Sequence, residues 1–223
     1  MPTVLKLKNI TKEFIEPRKN IVALNNINFD LSDGQCICLL GPSGSGKTTL
    51  LQIAGLLDSP TKGEIIINGK KCDHLSQEDK NFIRKQHIGF VYQNFYLLDS
   101  FSALENVIIP QLINGSGFNN ARKRAKNLLS DLGLSKRLYN KPRELSGGEK
   151  QRVAILRAIA NMPKIILADE PTGNLDKKNS ENVVKIIKDM VNHYNISFII
   201  ATHNLSITKK FDKIVKISEG KII

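Results

Sequence analysis

Short, uninterrupted apolar runs recur along this chain, and they predict strands of a sheet. The clearest is Cys36–Leu40, which follows the turn signal Asp33-Gly34 and has the pattern of a strand buried on both faces of a parallel sheet. Strands are also predicted over residues 4–10 and 21–31, joined by a loop that contains Pro17. The remaining predicted strands are Glu64–Ile67, Ile88–Tyr92, Ile165–Ala168, Ile196–Ala201 and Ile214–Ile217.

Segments with helical periodicity lie between these runs. Residues 118–132 show it well, with apolar positions at Ala121, Ala125, Leu128, Leu129 and Leu132. The other helical patterns cover Lys47–Leu57 and residues 76–86, 147–161, 178–194 and 204–210. Helical character dominates from about residue 94 to 160, and strands alternate with helices elsewhere. This alternation predicts an α/β fold with a parallel sheet, interrupted by a helical insertion.

The composition is that of one globular domain without a membrane span. With 223 residues, 41% of them hydrophobic and 24% charged, residues 1–223 can bury one sizeable core. No apolar run approaches the roughly 18 residues that cross a bilayer, and the N-terminus lacks a secretory signal. The three cysteines have no metal-type spacing. We therefore expect a cytoplasmic protein that needs a separate partner to act at a membrane.

The formal net charge of +12 leaves more than one kind of partner open. The basic residues are scattered, and the simplest interpretation is solvated helix faces together with a nucleotide ligand. An acidic lipid surface or an acidic protein partner is the alternative. The two local groups of basic residues are Arg122, Lys123, Arg124 and Lys126 on one predicted helix, and Lys209, Lys210, Lys213 and Lys216 near the end.

A phosphate-binding loop is predicted between the strand Cys36–Leu40 and the helix that starts at Lys47. The segment matches the pattern G-x-x-x-x-G-K-[ST] without gaps. Glycines let backbone N–H groups approach a phosphate closely, and the helix N-terminus adds its positive dipole end. Lys47 is placed to reach the β- and γ-phosphates, and Thr48 to bind Mg²⁺. The residues of this predicted loop are Gly41, Pro42, Ser43, Gly44, Ser45, Gly46, Lys47, Thr48 and Thr49.

Two carboxylates follow the apolar run Ile165–Ala168, at the carboxyl end of a predicted strand, where open α/β sheets bind ligands. Asp169 is suited to hold Mg²⁺ through water. Glu170 is suited to orient the attacking water or to accept its proton. Taken alone, an Asp after a strand is a common loop signal. Together with the phosphate-binding loop upstream, the pair predicts hydrolysis of a nucleoside triphosphate.

A second anion-binding motif is predicted at Leu145–Arg152. Ser146 and Glu149 have the spacing of a helix capping box, which is the purely structural interpretation. A capping box does not require Gly147 and Gly148, and paired glycines at a helix start favour close approach of a ligand such as a phosphate. Because the chain already has one phosphate-binding loop, this second site is predicted to serve the nucleotide of another subunit.

The octapeptide LSGGEKQR, between a phosphate-binding loop and an acidic strand, resembles the signature motif of the ATP-binding cassette (ABC) ATPases, and the resemblance covers essentially the whole chain. It implies a P-loop NTPase core with an N-terminal antiparallel β subdomain at about 1–70 and a helical subdomain at about 94–160. Phe14 resembles the aromatic residue that stacks on adenine, and Gln93 the glutamine that senses Mg²⁺ and contacts the membrane partner. His203 resembles the switch histidine at the γ-phosphate, and Asn174-Leu175-Asp176 resembles the loop that crosses the dimer interface.

Within the family, segments such as Tyr92–Leu98 and Leu167–Asp176 are most similar to the macrolide-export and lipoprotein-release group, with the cell-division ATPase of the same branch also similar. Two departures are mild. Phe14 replaces the more usual tyrosine, and Glu149 replaces the glutamine of the commonest signature. Neither changes the expectation of ATPase activity.

The resemblance implies a head-to-tail homodimer with ATP and Mg²⁺ bound between the copies, and an integral membrane permease as a further partner at the cytoplasmic face. Catalytic roles are expected for Lys47, Gln93, Glu170 and His203. A mechanical coupler of the cell-division type is the alternative to a transporter. Nucleic acid is a disfavoured partner, since the related repair and translation ATPases carry a long coiled-coil or zinc insertion, or two cassettes in one chain.

Overall fold

A computed structural model describes residues 2–16 and 19–223, so the loop expected at Pro17 lies outside the described residues. The α/β fold class is confirmed: ten strands form two sheets, with seven α-helices around them in the described part. The strands are β1 (Thr3–Glu16), β2 (Lys19–Ser32), β3 (Cys36–Leu40), β4 (Lys62–Ile67), β5 (Lys70–Lys71), β6 (Ile88–Tyr92), β7 (Ile165–Asp169), β8 (Ser197–Thr202), β9 (Lys213–Ser218) and β10 (Lys221–Ile222).

The helices begin where caps or glycines allow them to. They are α1 (Lys47–Ala54), α2 (Gln77–His87), α3 (Ala103–Ile113), α4 (Phe118–Asp131), α5 (Gly147–Ile159), α6 (Lys177–Tyr194) and α7 (Leu205–Thr208). Side-chain oxygens of Ser76, Ser102, Ser146 and Asp176 cap α2, α3, α5 and α6 by accepting a bond from the backbone N–H three residues on. None of the helices in the described ranges is long and apolar enough to cross a bilayer.

The smaller sheet is antiparallel, with strand order β2-β1-β4-β5. The larger sheet has the order β10-β9-β3-β8-β7-β6, in which all neighbours from β9 to β6 are parallel and β10 is antiparallel to β9. Because β3 is central and its carboxyl end is near those of β8 and β7, this order brings the phosphate-binding loop beside the acidic strand end.

The central strands are buried on both faces, as their continuous apolar runs predict. Alternate residues, including Ile37, Leu167 and Ile199, join one core with α1 and the antiparallel sheet. Their neighbours, including Ile166 and Phe198, join a second core with α3, α4, α5 and α6. The parallel sheet is therefore held rigidly between two apolar layers, and its strand ends are fixed platforms for the loops.

Several predicted boundaries are wrong. The helix that begins at Lys47 ends at Ala54 rather than Leu57, because Leu56 adopts a left-handed conformation with φ 57° that no helix continues. The strand predicted at Ile196–Ala201 is shifted to Ser197–Thr202, and the helix predicted over 204–210 is confined to Leu205–Thr208. The first strand, predicted over 4–10, extends to Glu16 because its second half continues to pair with β2, whereas the second strand is close to its predicted bounds.

Candidate functional site

The loop from Gly41 to Gly46 turns the chain from β3 into α1, and glycine is required at its end. Gly46 has φ 103°, and a Cβ there would lie 2.6 Å from the carbonyl oxygen of Ala23. No other residue fits both the dihedral angle and the space. The loop therefore packs tightly on β2 while its N–H groups at the start of α1 remain without intrahelical acceptors.

Lys47, the first residue of α1, has its ammonium group inside the curve of this loop. Its Nζ donates to the carbonyl oxygens of Gly41 and Pro42, at 2.8 Å each, and the residue is only 7% exposed. The Ser45 hydroxyl is also buried and has no hydrogen-bond partner among the described residues. A buried cation and an orphaned hydroxyl beside free helix N–H groups make a strongly anion-attracting pocket.

Asp169, the last residue of β7, faces the start of α1. Its Oδ2 accepts a hydrogen bond of 2.7 Å from the Thr48 hydroxyl. Burial raises the pKa of the Asp169 carboxyl, and the Thr48 hydrogen bond and the Lys47 charge only partly offset this. A hard cation bound by this carboxylate would reverse the shift, so the site favours a positively charged ligand next to Thr48.

Glu170 is held by the end of β8 in an uncommon backbone conformation. Its φ is 46°, a left-handed value that glycine adopts more readily, and its N–H donates to the Ala201 carbonyl at 2.9 Å. Its carboxylate accepts from the Thr202 hydroxyl at 3.0 Å and from the His203 backbone N–H at 3.0 Å. Such strain costs on the order of 1 kcal/mol and is typical of residues whose side chain must point at a site.

His203 follows β8 directly and its ring contacts the same carboxylate. Nδ1 lies 2.7 Å from Glu170 Oε1. Because a carboxylate only accepts hydrogen bonds, Nδ1 carries a proton and donates to Oε1, and Nε2 is left for another partner. The histidine and the glutamate are therefore one connected unit at the carboxyl end of the sheet.

Gln93 follows β6, is exposed, and lines the same cleft as His203. Its Nε2 donates to Asn174 Oδ1 at 3.4 Å, and Asn174 Nδ2 donates to the Gln93 carbonyl at 3.1 Å. The side-chain oxygen of Gln93 remains available to a cation. Mg²⁺ prefers hard oxygen donors. The site offers three of them, the Thr48 hydroxyl, the Asp169 carboxylate and the Gln93 side-chain amide oxygen, so the donor set fits that ion.

One cleft of about 470 Å³ brings most of the predicted residues together. The sequence-predicted residues that line it are Ser43, Gly44, Gly46, Lys47, Thr48, Thr49, Gln93, Asp169, Glu170 and His203. Its other wall was missed by the sequence analysis and consists of Ile21, Val22, Ala23, Glu219 and Gly220. Nothing in the local sequence marks this wall, because long-range bonds form it: Gly220 N–H donates to Ser45 O, and Asn25 N–H donates to Gly220 O.

Phe14 does not line this cleft but is next to it. Its strand partner in the β1–β2 pairing is Ile21, which does line the cleft, and paired residues project on the same side of a sheet. The ring is 41% exposed, with the Lys12 ammonium 5.0 Å from its centroid. An aromatic face this open is available for stacking on a base.

The predicted second anion motif lies away from the cleft. Ser146, Gly147, Gly148 and Asp176 are all absent from its lining, although each belongs to the described residues. Ser146 and Glu149 form the capping box: Ser146 Oγ accepts from Glu149 N–H at 3.3 Å, and Glu149 Oε2 accepts from Ser146 N–H at 2.8 Å. This backbone bond is the main cause of the lowered pKa of the Glu149 carboxyl.

Gly148 and Asp176 are linked through one residue, Asn179. A Cβ at Gly148 would lie 2.7 Å from Asn179 Oδ1, so a larger residue there would require the Asn179 side chain at the start of α6 to move. Asp176 caps α6 by accepting from Asn179 N–H at 2.8 Å. Ser146, Gly147 and Asp176 are exposed, so this surface can receive a ligand or another chain.

Comparisons with known proteins agree with this geometry. A family model described as ABC transporter matches residues 24–173. The chain is 46% identical over 219 residues to the lipoprotein-releasing system ATP-binding protein LolD 1 of Rhodospirillum rubrum, covering 98% of this chain and 97% of that relative. It is 48% identical over 215 residues to LolD of Rickettsia conorii, covering 96% and 95%. The dimeric post-hydrolysis structure of the ATP-binding cassette MJ0796, bound to ADP and Pi, matches with a TM-score of 0.90 at 38% identity, covering 98% of this chain and 96% of that chain.

Proposed function

The chain belongs to the ABC transporter family, and on that premise we propose that it binds and hydrolyses ATP between two copies of itself to drive a membrane permease. Binding and hydrolysis of ATP by such a subunit are properties of the family.

The phosphates are held by the loop Gly41–Thr49. Lys47 exchanges its two carbonyl partners for β- and γ-phosphate oxygens, which is favourable because a charged acceptor makes a stronger hydrogen bond than a neutral one. Backbone N–H groups at the start of α1 bind the remaining oxygens. Phe14 stacks on the adenine ring at the edge of the cleft, one strand away from Ile21.

Thr48, Asp169 and Gln93 would hold Mg²⁺, which when bound neutralises charge on the β- and γ-phosphate oxygens. Glu170 then orients a water molecule and accepts its proton, as the water oxygen bonds to the γ-phosphorus and the bond to the ADP oxygen breaks. His203 keeps the Glu170 carboxylate in place through Nδ1 and presents Nε2 to the γ-phosphate. The carboxylate is also held by Thr202, which limits its motion during the reaction.

The observation that carries the two-copy arrangement is that only one of the two phosphate-type motifs of the chain lines the cleft. The cleft has the loop and the acidic strand end, whereas Ser146 and Gly147 are exposed and do not line it. A nucleotide bound by one copy therefore still exposes its γ-phosphate, and the N-terminus of α5 from a second copy can cover it. The dimeric MJ0796 structure is consistent with this arrangement.

Changing Ser146 to Asp tests the arrangement, because Asp is a good helix cap but brings a negative charge to the predicted γ-phosphate contact. We expect Ser146→Asp to lower ATP hydrolysis by about 100-fold, the scale seen when one electrostatic contact to a transition state is lost. Binding of ATP to the monomer should be unchanged. The measurement is phosphate release together with equilibrium binding of a fluorescent ATP analogue.

Ser146→Asn is the matched control, since Asn caps a helix as well as Asp and carries no charge. It should retain hydrolysis within about threefold of the original chain. Equal, full activity in the Asp and Asn variants would show that Ser146 faces no phosphate, and would remove the proposed second half of the site.

The proposed contact with the permease is a large apolar groove of about 930 Å³ between α2, β6 and α5. Phe82, Tyr96 and Ile113 are 57–66% exposed along it, and Arg84, Lys85 and Arg157 add positive charge. Such a groove fits an amphipathic helix with acidic residues from a cytoplasmic loop of the permease. Relatives named for lipoprotein release support a permease that extracts or exports lipoprotein, rather than a mechanical coupler. With that partner the chain acts at the cytoplasmic face of the membrane.

The groove and the ATP cleft share one segment of the chain. Gln93 lines the cleft, whereas Tyr92 and Tyr96, on either side of it, line the groove. The ring of Tyr92 stacks on Phe90 with centroids 5.7 Å apart, and Arg157 donates to the Phe95 carbonyl at 2.8 Å. Movement of Gln93 on binding of ATP and Mg²⁺ is thereby transmitted to the floor of the groove.

Replacing Phe82 by Asp should abolish attachment to the permease without affecting hydrolysis by the isolated chain. A buried aromatic anchor replaced by a charge costs at least tenfold in affinity. The measurement is recovery of integral membrane protein with the tagged chain from solubilised membranes. Phe82→Leu, which keeps the apolar contact, should recover the permease as the original chain does, and equal recovery with both variants would contradict the proposed groove.

A further inference from the structure

A second exposed surface borders the groove, at the corner where α3 is followed by α4. Three apolar side chains are open to solvent there: Leu112 is 39%, Ile113 66% and Phe118 57% exposed. Arg122, Lys123 and Arg124 are exposed in the next turn of α4, where consecutive positions spread over roughly 200° of the helix circumference, and Arg122 lies one turn from Phe118 on the same side. We call these six residues the α3–α4 corner.

The positive charge of this corner is not balanced by the chain itself. Among the described residues, none of Arg122, Lys123 and Arg124 forms an ion pair. Arg122 and Lys126 are four residues apart on the helix, so their like charges repel, which weakens an isolated helix by a few tenths of a kcal/mol. The fold thus maintains a repulsive cluster that an external anion would relieve.

The corner is rigid, so its groups are displayed in a fixed arrangement. Gln111 is 2% exposed, and its Nε2 donates to the carbonyls of Val107 in α3 and Ala121 in α4, at 2.9 and 3.3 Å. The backbone carbonyl of Gln111 accepts from Ser116 N–H at 3.0 Å, which holds the turn between α3 and α4 against the end of α3. The backbone that carries the apolar and basic side chains is therefore fixed before a partner binds.

We propose that the α3–α4 corner binds the anionic phospholipid headgroups of the bilayer, with Phe118 inserted at the level of the headgroups. Basic side chains beside an exposed aromatic and aliphatic residues form the combination that interfacial helices use. A nucleic acid would satisfy the charges but leave Leu112, Ile113 and Phe118 without an apolar partner. Ile113 also lines the groove, so the lipid contact is continuous with the proposed permease contact.

The chain alone makes this contact with the phospholipid headgroups, without the permease of the proposed function. The contact gives a role to part of the net charge of +12, which nucleotide binding does not explain. Lipid binding of this kind keeps the subunit near the membrane surface when it is apart from the permease.

The test is co-sedimentation of the full chain with phosphatidylcholine vesicles, with and without about 30% phosphatidylglycerol, at low salt. The chain should bind the anionic vesicles at least tenfold better than the neutral ones. Changing Arg122, Lys123 and Arg124 together to Gln should lower that binding by roughly 100-fold, since each basic residue contributes about fivefold near an anionic surface. Phe118→Ser should lower it by about tenfold.

The matched control changes Lys185, Lys188 and Lys213 to Gln, which removes the same charge from exposed positions elsewhere. It should reduce binding by no more than about threefold. ATP hydrolysis by all variants should equal that of the original chain, which shows that they fold. Equal losses in the two triple variants, no preference for anionic vesicles, or stronger binding to a DNA duplex that is unaffected by Phe118→Ser would each overturn the proposal.

Discussion

Replacing Lys47 by Ala is expected to reduce ATP hydrolysis by at least about 1,000-fold. The ammonium is buried inside the loop, and among the described residues that line the cleft no other lysine or arginine occurs, so its loss removes both ground-state contact with the phosphates and stabilisation of the transition state. ATP affinity should also fall, by about tenfold or more, because a charge-assisted contact is lost. Phosphate release and nucleotide binding are the measurements.

Lys185→Ala is the control for this change, because Lys185 is exposed on α6 and does not line the cleft. It should hydrolyse ATP at the original rate. Retention of more than about a tenth of the activity by Lys47→Ala would be incompatible with the assigned role, given the usual size of such effects.

Replacing Glu170 by Gln is expected to lower the turnover number by about 100- to 10,000-fold while leaving ATP binding intact. The amide cannot accept the proton of the attacking water, yet its oxygen can still accept from Thr202 or from the His203 backbone. Because ATP is bound but not hydrolysed, a dimer should accumulate with ATP and be absent with ADP. The measurements are phosphate release and molecular mass in solution with each nucleotide.

Glu219 supplies a control within the same cleft, since it is a carboxylate that lines the wall opposite Glu170. Glu219→Gln should turn over at close to the original rate and form no lasting dimer. Near-normal turnover in Glu170→Gln would remove this residue as the base, and a chain that stays monomeric at saturating ATP would count against the two-copy arrangement.

The parts of the site that the sequence predicts are those with a local cause. The phosphate-binding loop is one, because Gly46 and Lys47 belong to a contiguous pattern at a strand–helix junction. The capping box of Ser146 and Glu149 is another, because both partners lie within one helical turn. Continuous apolar runs likewise identify the central strands, since burial on both faces removes polar positions.

The parts that the sequence does not predict depend on contacts between distant segments. The wall formed by Ala23 and Gly220 exists because β2 approaches the turn after β9, and neither segment has a motif. The left-handed φ of Glu170 is set by its bond to Ala201, thirty-one positions along the chain. The helix α1 ends early, at Ala54, because Leu56 adopts a left-handed φ. Leucine rarely adopts this conformation, so the residue type does not predict the end of the helix.

The most direct test of ATP binding between two copies is to mix two inactive variants. In a mixed dimer of one Lys47→Ala chain and one Ser146→Asp chain, one ATP site contains both substitutions. The other site combines the intact loop of the Ser146→Asp chain with the intact Ser146 of the Lys47→Ala chain. If partners exchange freely, an equal mixture should regain about a quarter of the original hydrolysis rate, because half of the dimers are mixed and each has one working site. A mixture no more active than the two variants measured separately would contradict a site built from two copies.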